Sequence, residues 1–219
     1  MNCRALFFSR PVAYGDGVCL QEKLHAQRLA GEIPDTVLFL EHEPVITLGR
    51  RGRDNFLLVS EADLARRGIE VVHASRGGDV TYHGPGQIVV YPILKLGTNE
   101  ADSHGYLWNL EEIAIRTAGD FGVKAFRREG KSGAWTDAGK IAAIGFQLKR
   151  WITLHGMSFN VDVDLAGFQA IVPCGLVGEP VASLKTILGD HCPTVVQVRE
   201  SMKKHFEEVC GRRLSVEER

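Results

Sequence analysis

The sequence predicts an α+β fold: a mixed, largely antiparallel sheet with packed helices. Three observations point there. Strand-like segments come in runs and pairs, without the regular alternation of a parallel βαβ protein. One segment, Lys140 to Ile152, is almost continuously apolar. The stretch after Thr194 carries apolar residues at helical spacing. With 219 residues, the expectation is a single domain spanning 1–219 with a core of useful size.

The elements follow in order. Asp16 to Ala30 reads as a helix that Gly31 ends. Thr36 to Leu40 and Val45 to Leu48 read as strands, broken by Glu41-His42-Glu43-Pro44. Ser60 can cap a short helix, Glu61 to Arg67, which stops at Gly68. Ile69 to Ala74 and Ile88 to Leu94 are strand-like. Ser103 or His104 starts a helix that runs to about Ala118. Lys140 to Ile152 has apolar residues at 141, 142, 143, 144 and 146, the pattern of a strand buried on both faces. Ser158 to Asp164 alternates, with Phe159, Val161 and Val163 on one face. Thr194 and Gln197 form a capping-box pattern ahead of Val195, Val198, Met202, Phe206 and Val209, and Gly211 ends that helix. Such a stripe is core packing.

Composition narrows the function. Hydrophobic residues make up 44%, an ordinary globular value. A net charge of -1 gives no reason to expect nucleic acid or an anionic membrane as partner. Ala5-Leu6-Phe7-Phe8 is too short for a signal peptide, and no apolar stretch approaches a membrane span. The five cysteines are scattered, with no CxxC pair, so neither a zinc site nor a disulfide framework is indicated. Cys3, Cys19, Cys192 and Cys210 read as buried structural cysteines. A reducing cytoplasm is the natural setting. No metal and no cofactor are expected.

The richest segment is Arg76-Gly77-Gly78-Asp79-Val80-Thr81-Tyr82-His83-Gly84-Pro85-Gly86-Gln87. Glycine lets backbone approach a ligand closely. A glycine-dense loop carrying a cation and an imidazole is suited to line a pocket. A tight turn accounts for Gly84-Pro85-Gly86 but not for the Arg-Gly-Gly start. Cys174, in Val172-Pro173-Cys174-Gly175-Leu176, sits in a turn-like setting. A thiol there is a candidate nucleophile where it has a partner, and a buried structural cysteine otherwise. Lys140 opens the apolar strand, where partial desolvation disfavours its charge. Beside a thiol it would favour the thiolate and shuttle the proton; elsewhere it is a solvated strand-end lysine. His83 and His155 each precede a glycine and serve as base, orienting group or satisfied core histidine. Gly49-Arg50-Arg51-Gly52-Arg53 lacks the ending of a phosphate-binding P-loop and reads as a basic rim or a solvated loop.

Several of these segments occur together in one known family. Glu43-Pro44-Val45-Ile46-Thr47-Leu48-Gly49-Arg50, the Arg76 to Gln87 loop, Gly139-Lys140-Ile141-Ala142-Ala143-Ile144-Gly145, His155-Gly156 with Phe159-Asn160, and Pro173-Cys174-Gly175 before Ser183-Leu184 resemble the lipoyl(octanoyl) transferases, in that family's order. The resemblance implies a fold related to biotin and lipoate protein ligases. It implies octanoyl transfer from acyl carrier protein to a lysine of lipoyl domains, those of 2-oxoacid dehydrogenase subunits and the glycine-cleavage H protein included. It assigns the thioester-forming role to Cys174 and the acid–base role to Lys140. Substrate-binding segments map onto Arg76, Gly77, Gly78, Asp79, Val80, Thr81, Tyr82 and His83, onto Ala143, Ile144 and Gly145, and onto Gly156, Met157 and Ser158. The developing oxyanion needs backbone N–H donors, for which Gly145 and Gly175 are alternative sources. Asp79 and the Met157-Ser158 pair depart from the family's usual residues without removing a catalytic group. An ATP-dependent ligase of similar fold would use Lys140 but not Cys174. An amidotransferase acting between lipoyl domains would also use a cysteine, and a non-catalytic carrier-protein binder would form no thioester.

Overall fold

In a computed structural model, residues 2–52, 56–172 and 179–219 are described. The chain begins with β1 (Asn2–Phe7), α1 (Tyr14–Ala30), β2 (Thr36–Leu40), β3 (Val45–Leu48), α2 (Glu61–Arg66) and β4 (Glu70–His73). It continues through β5 (Val80–His83), β6 (Gln87–Ile93), α3 (Ser103–Asp120), β7 (Phe126–Arg128), β8 (Lys131–Thr136), β9 (Gly139–Lys149) and β10 (Ile152–Asn160). A 3-10 turn over Leu165–Ala170 precedes α4 (Leu184–Leu188), α5 (Val195–Cys210) and β11 (Arg213–Glu218).

Eight strands form one sheet in the order β11-β1-β2-β6-β10-β9-β8-β7, and three form a second in the order β4-β3-β5. In the large sheet β1 runs parallel to β2 and β11, while the other neighbours are antiparallel. The predicted mixed, largely antiparallel α+β arrangement is the one observed.

Side-chain alternation explains the layers. On β2, Val37 and Phe39 face the core under α3 and α5, which Leu110, Ile113, Met202 and Phe206 complete. Leu38 and Leu40 face the opposite way, toward Leu24 of α1. β6 divides the same way, Ile88 and Val90 against Val89, Tyr91 and Ile93. A third core, around Ile46, Leu48, Tyr82 and Phe168, lies on the small sheet. Among the described residues no helix is long and apolar enough to cross a membrane.

Capping chemistry sets the helix ends as expected. Thr194 and Gln197 form a reciprocal capping box, and Gly31 and Gly211 close α1 and α5 in left-handed conformations. α3 starts at Ser103, as expected, with Asp102 as its cap, accepting from the backbone N–H groups of His104 and Gly105.

Three expectations are corrected. The predicted strand from Lys140 to Ile152 is a hairpin: β9 ends at Lys149, Arg150 and Trp151 turn the chain with φ of 54° and 59°, and β10 returns. Two consecutive positive φ values are those of a tight hairpin turn, a position where Asn or Gly would have signalled it. Burial on both faces holds for Ile141 and Ala142 only, because beyond them β9 forms a cavity wall. The alternating run from Ser158 is strand only to Asn160. Val161 and Asp162 turn their N–H groups to the Gly86 carbonyl at 3.1 and 2.9 Å instead. Finally, Cys19 is exposed on α1 rather than buried.

Candidate active site

The cavity opens where the small sheet leans on the β9–β10 hairpin. The Arg76 loop is not wholly irregular: Val80–His83 forms β5, paired antiparallel with β3. That pairing puts Thr81 and His83 into the cavity wall, while Tyr82 turns away to pack edge-on against Phe168 at 5.5 Å. Tyr82 is therefore not among the described lining residues. Gly84, Pro85 and Gly86 make the tight turn into β6, closed by Gln87 N–H to Gly84 O at 3.2 Å.

Arg76 holds the first half of the loop. Its guanidinium is buried and donates to Thr47 Oγ1 at 2.7 and 3.1 Å and to the carbonyls of Thr47, Gly77 and Asp79 at 2.6, 3.0 and 3.2 Å. The Gly49–Gly52 segment docks on the same loop, with Gly49 N–H to Asp79 O at 2.6 Å and Arg51 N–H to Gly78 O at 3.1 Å. Arg51 reaches the cavity mouth, its Nε 3.6 Å from Asp79 Oδ1. Arg50 is exposed, and Arg53 lies outside the described residues.

Gly145 lets this loop meet the large sheet. Gly77 N–H donates to Phe146 O at 3.0 Å, and a Cβ on Gly145 would stand 2.7 Å from Gly77 O. That contact is with backbone, so no side-chain rotation relieves it. Gly145→Val is expected to cost ~1–3 kcal/mol of stability by overpacking. It should slow turnover more than tenfold, because an ~1 Å displacement of a substrate wall is felt in rate. Denaturant unfolding with steady-state assay checks both.

From the large sheet, Lys140, Ala143, Ile144 and Gly145 of β9 line the cavity, opposite Gly156, Met157 and Ser158 of β10. Val89 and Tyr91 of β6 complete the wall. The predicted substrate segments, distant in sequence, thus share one cavity with Lys140. Gly77 contributes its docking bond rather than lining.

Lys140 is fixed by its backbone. Its N–H donates to Pro180 O at 2.9 Å, and its carbonyl accepts from Ala182 N–H at 3.0 Å. Its ammonium lies 5.2 Å from the Trp135 ring centroid, a ring that Arg128 also covers at 4.5 Å. Arg128 pairs with Glu179 at 2.7 Å, and Lys131 pairs with the same carboxylate. Cys174 and Gly175 lie outside the described residues. On the near side of that segment, Val172 N–H donates to Phe56 O at 2.9 Å; on the far side, Pro180 is bonded to Lys140 itself.

Three histidines cluster at one end of the cavity, His83 and His155 in its wall and His42 behind them. His155 Nε2 is 3.0 Å from Ser75 Oγ, and its backbone N–H reaches Gln21 Oε1 at 2.7 Å. His155 holds φ of 55°, a left-handed conformation unusual for a buried non-glycine residue. His42 Nδ1 is 2.8 Å from Val12 O and its Nε2 2.7 Å from the Tyr91 hydroxyl. Since the carbonyl only accepts, Nδ1 carries the hydrogen and Nε2 accepts from Tyr91. Burial pushes the pKa of His83 down to about 3, with His42 adding to it. Burial also lowers His42 and His155 to about 4 each. The cavity wall is therefore free of imidazolium charge at neutral pH.

That neutrality has a cost in acid. Unfolding restores each imidazole to its ordinary value of 6.5, so the unfolded chain binds more protons between pH 6.5 and about 4. Stability is fully present above 6.5 and declines as pH falls through this window. One imidazole lowered this far is worth ~3 kcal/mol. The melting temperature is expected to drop steeply from pH 6.5 to 4, and His42→Asn, which cannot titrate, should flatten that slope in a pH series of thermal melts.

Sequence reasoning missed Glu179, Arg128, Tyr91, His42, Gln87 and Asn160 as site components. Gln87 and Asn160 lay inside segments already singled out, but nothing in their spacing signals a bond between them.

The family model described as Lipoyl protein ligase A/B catalytic domain matches residues 14–207. An octanoyltransferase of Geobacter metallireducens is 48% identical over 198 residues, covering 90% of this chain and 89% of its own. An octanoyltransferase of Caldicellulosiruptor saccharolyticus is 46% identical over 202 residues, covering 91% and 86%. Among solved structures, a bi-partite lipoate protein ligase from Thermoplasma acidophilum, described with its E2 lipoyl domain, superposes with a TM-score of 0.78 at 16% identity. It covers 100% of this chain and 88% of that one. At that identity the likeness is one of fold.

Proposed function

Because the chain belongs to the lipoyl protein ligase A/B catalytic-domain family, we propose that it is an octanoyltransferase, moving an octanoyl group from acyl carrier protein to a lysine of lipoyl domains. The carrying observation is the 48% identity, over nine-tenths of the chain, to a relative named for that activity. A cavity that unites Lys140 with the Arg76 loop and the β9–β10 hairpin supports it. The unit is a single catalytic domain over 1–219, working in the cytoplasm on lipoyl domains of 2-oxoacid dehydrogenase subunits and the glycine-cleavage H protein.

The chemistry runs in two half-reactions. Lys140 takes the Cys174 proton, and the thiolate attacks the carrier-bound thioester. A new C–S bond forms, the old one breaks, and the carrier thiol leaves with the proton from Lys140. The target lysine, as neutral amine, then attacks the acyl-enzyme. A C–N bond forms, the Cys174 C–S bond breaks, and the amine proton passes through Lys140 to the sulfur. One thioester replaces another in the first half, so no ATP is consumed. Ala143, Ile144 and Met157 hold the chain.

Intact-protein mass spectrometry after incubation with octanoyl-acyl carrier protein, without ATP, tests this. One octanoyl mass is expected on the enzyme, discharged by added lipoyl domain. Modification of the lipoyl domain only with ATP and free acid would make the protein a ligase instead.

A further inference from the structure

A buried line of amides runs behind His83. Asn160 Nδ2 donates to Ala182 O at 2.9 Å, which orients the amide and turns Oδ1 the other way. That oxygen accepts from Gln87 Nε2 at 2.9 Å, and the same nitrogen reaches Tyr82 O at 3.2 Å. Gln87 Oε1 is left facing His83 Nδ1 at 2.6 Å. Gln87 is 0% exposed, Asn160 4% and His83 6%, so bulk water has no access with which to replace these bonds. An amide oxygen has no proton to give, so Nδ1 of the neutral ring carries the hydrogen and Nε2 the lone pair. His83 lines the same cavity as Lys140, and Ala182 at the far end of the line bonds to the Lys140 backbone.

We propose that Gln87 and Asn160 are positioning residues that lock His83 in its Nδ1–H tautomer, presenting Nε2 as a fixed hydrogen-bond acceptor for the target amine. This rests on the octanoyl-transfer reading. In the second half-reaction the attacking nitrogen loses one proton, which goes to the Cys174 sulfur through Lys140, and keeps one N–H in the amide product. Nε2 accepts a hydrogen bond from that retained N–H and so aims the nitrogen lone pair at the acyl carbon. In the first half-reaction the attacking group is a thiolate with no hydrogen to place. The relay therefore serves deacylation and not acylation, an asymmetry that simple loosening of the fold would not produce.

Two measurements on the full-length protein test this. Nitrogen-15 NMR of labelled histidine reads the tautomer directly; Nδ1–H with an unprotonated Nε2 is expected for His83 in wild type, and an Nε2–H ring would overturn the proposal. Rapid-quench kinetics separates acylation from discharge to a lipoyl domain. Gln87→Met and Asn160→Leu, close to isosteric, are each expected to slow discharge ~10-fold, about one hydrogen bond's worth of barrier. Acylation should stay within about twofold of wild type, a change of only ~0.4 kcal/mol. Equal slowing of both halves, or of neither, in a variant that folds would overturn the proposal. Should one variant fail to fold, the other and the wild-type spectrum still decide. A wild type that accepts no octanoyl group from carrier protein refutes the transfer reading, and with it the amine-orienting role, whereas a locked tautomer with symmetric slowing refutes only the latter.

Discussion

Replacing Cys174 by alanine is expected to abolish octanoyl transfer, by ~10³-fold or more, because removing a covalent nucleophile leaves only binding and positioning. The substitution deletes one sulfur, and the Pro-Cys-Gly sequence predicts a loop setting for it, so the loss of stability should stay below ~1 kcal/mol. The signature is the loss of the octanoyl mass on the enzyme alongside an unchanged melting curve. Persistent turnover in Cys174→Ala would remove the covalent mechanism. It would favour direct attack of the target lysine on a carrier-bound or adenylated acyl group.

Lys140→Ala is expected to slow both half-reactions by ~10²–10⁴-fold, the usual worth of a positioned acid–base group. The side chain rather than the backbone is at stake. The two hydrogen bonds tying residue 140 to Pro180 and Ala182 use main-chain atoms and survive the substitution. In the proposed mechanism the Lys140 ammonium stabilises the Cys174 thiolate, so iodoacetamide labelling of Lys140→Ala should require a higher pH than in wild type. Lys140→Arg separates charge from proton transfer. A guanidinium keeps the positive charge but does not give up a proton at working pH. Labelling near the wild-type pH with turnover still lost would show that Lys140 moves the proton. Recovered turnover would reduce its role to electrostatics, and an unshifted labelling profile in Lys140→Ala would leave it a structural residue.

Most helices were legible because their signals are local. Ser60, Thr194, Gly31 and Gly211 act within one turn of the helix they cap. β2 and β3 were equally readable as short apolar runs between turn residues. The strands that escaped notice lack such a signature. β8 (Lys131–Thr136) has only Ala134 and Trp135 as apolar residues, with Gly133 at φ of 113°, and becomes a strand through pairing with β7 and β9. β11 (Arg213–Glu218) is a mostly exposed edge strand, recruited by β1 across almost the whole length of the chain. β1 itself is short enough to pass for an isolated apolar patch. Arg150 and Trp151 show the same limit at a turn, since neither residue type announces two successive positive φ values.

The kinds of side chain available for chemistry, and their order along the chain, were determined by the sequence itself: a lysine opening an apolar strand, a glycine-dense loop with an arginine and an imidazole, a cysteine between proline and glycine. Motif identity is a property of neighbouring residues, so the family resemblance could be read from it. Only the tertiary structure decided which of those groups meet. Thr81 and His83 face the cavity while Tyr82 does not, because β5 pairs with β3 and successive side chains must alternate. Arg76 turned out to clamp its own loop through Thr47, a residue on β3. The protonation of the histidines depends on burial and on partners up to 77 residues further along the chain, Asn160 among them, which no local pattern encodes: desolvation and hydrogen bonding are set by what packs in space, not by what is adjacent in the chain.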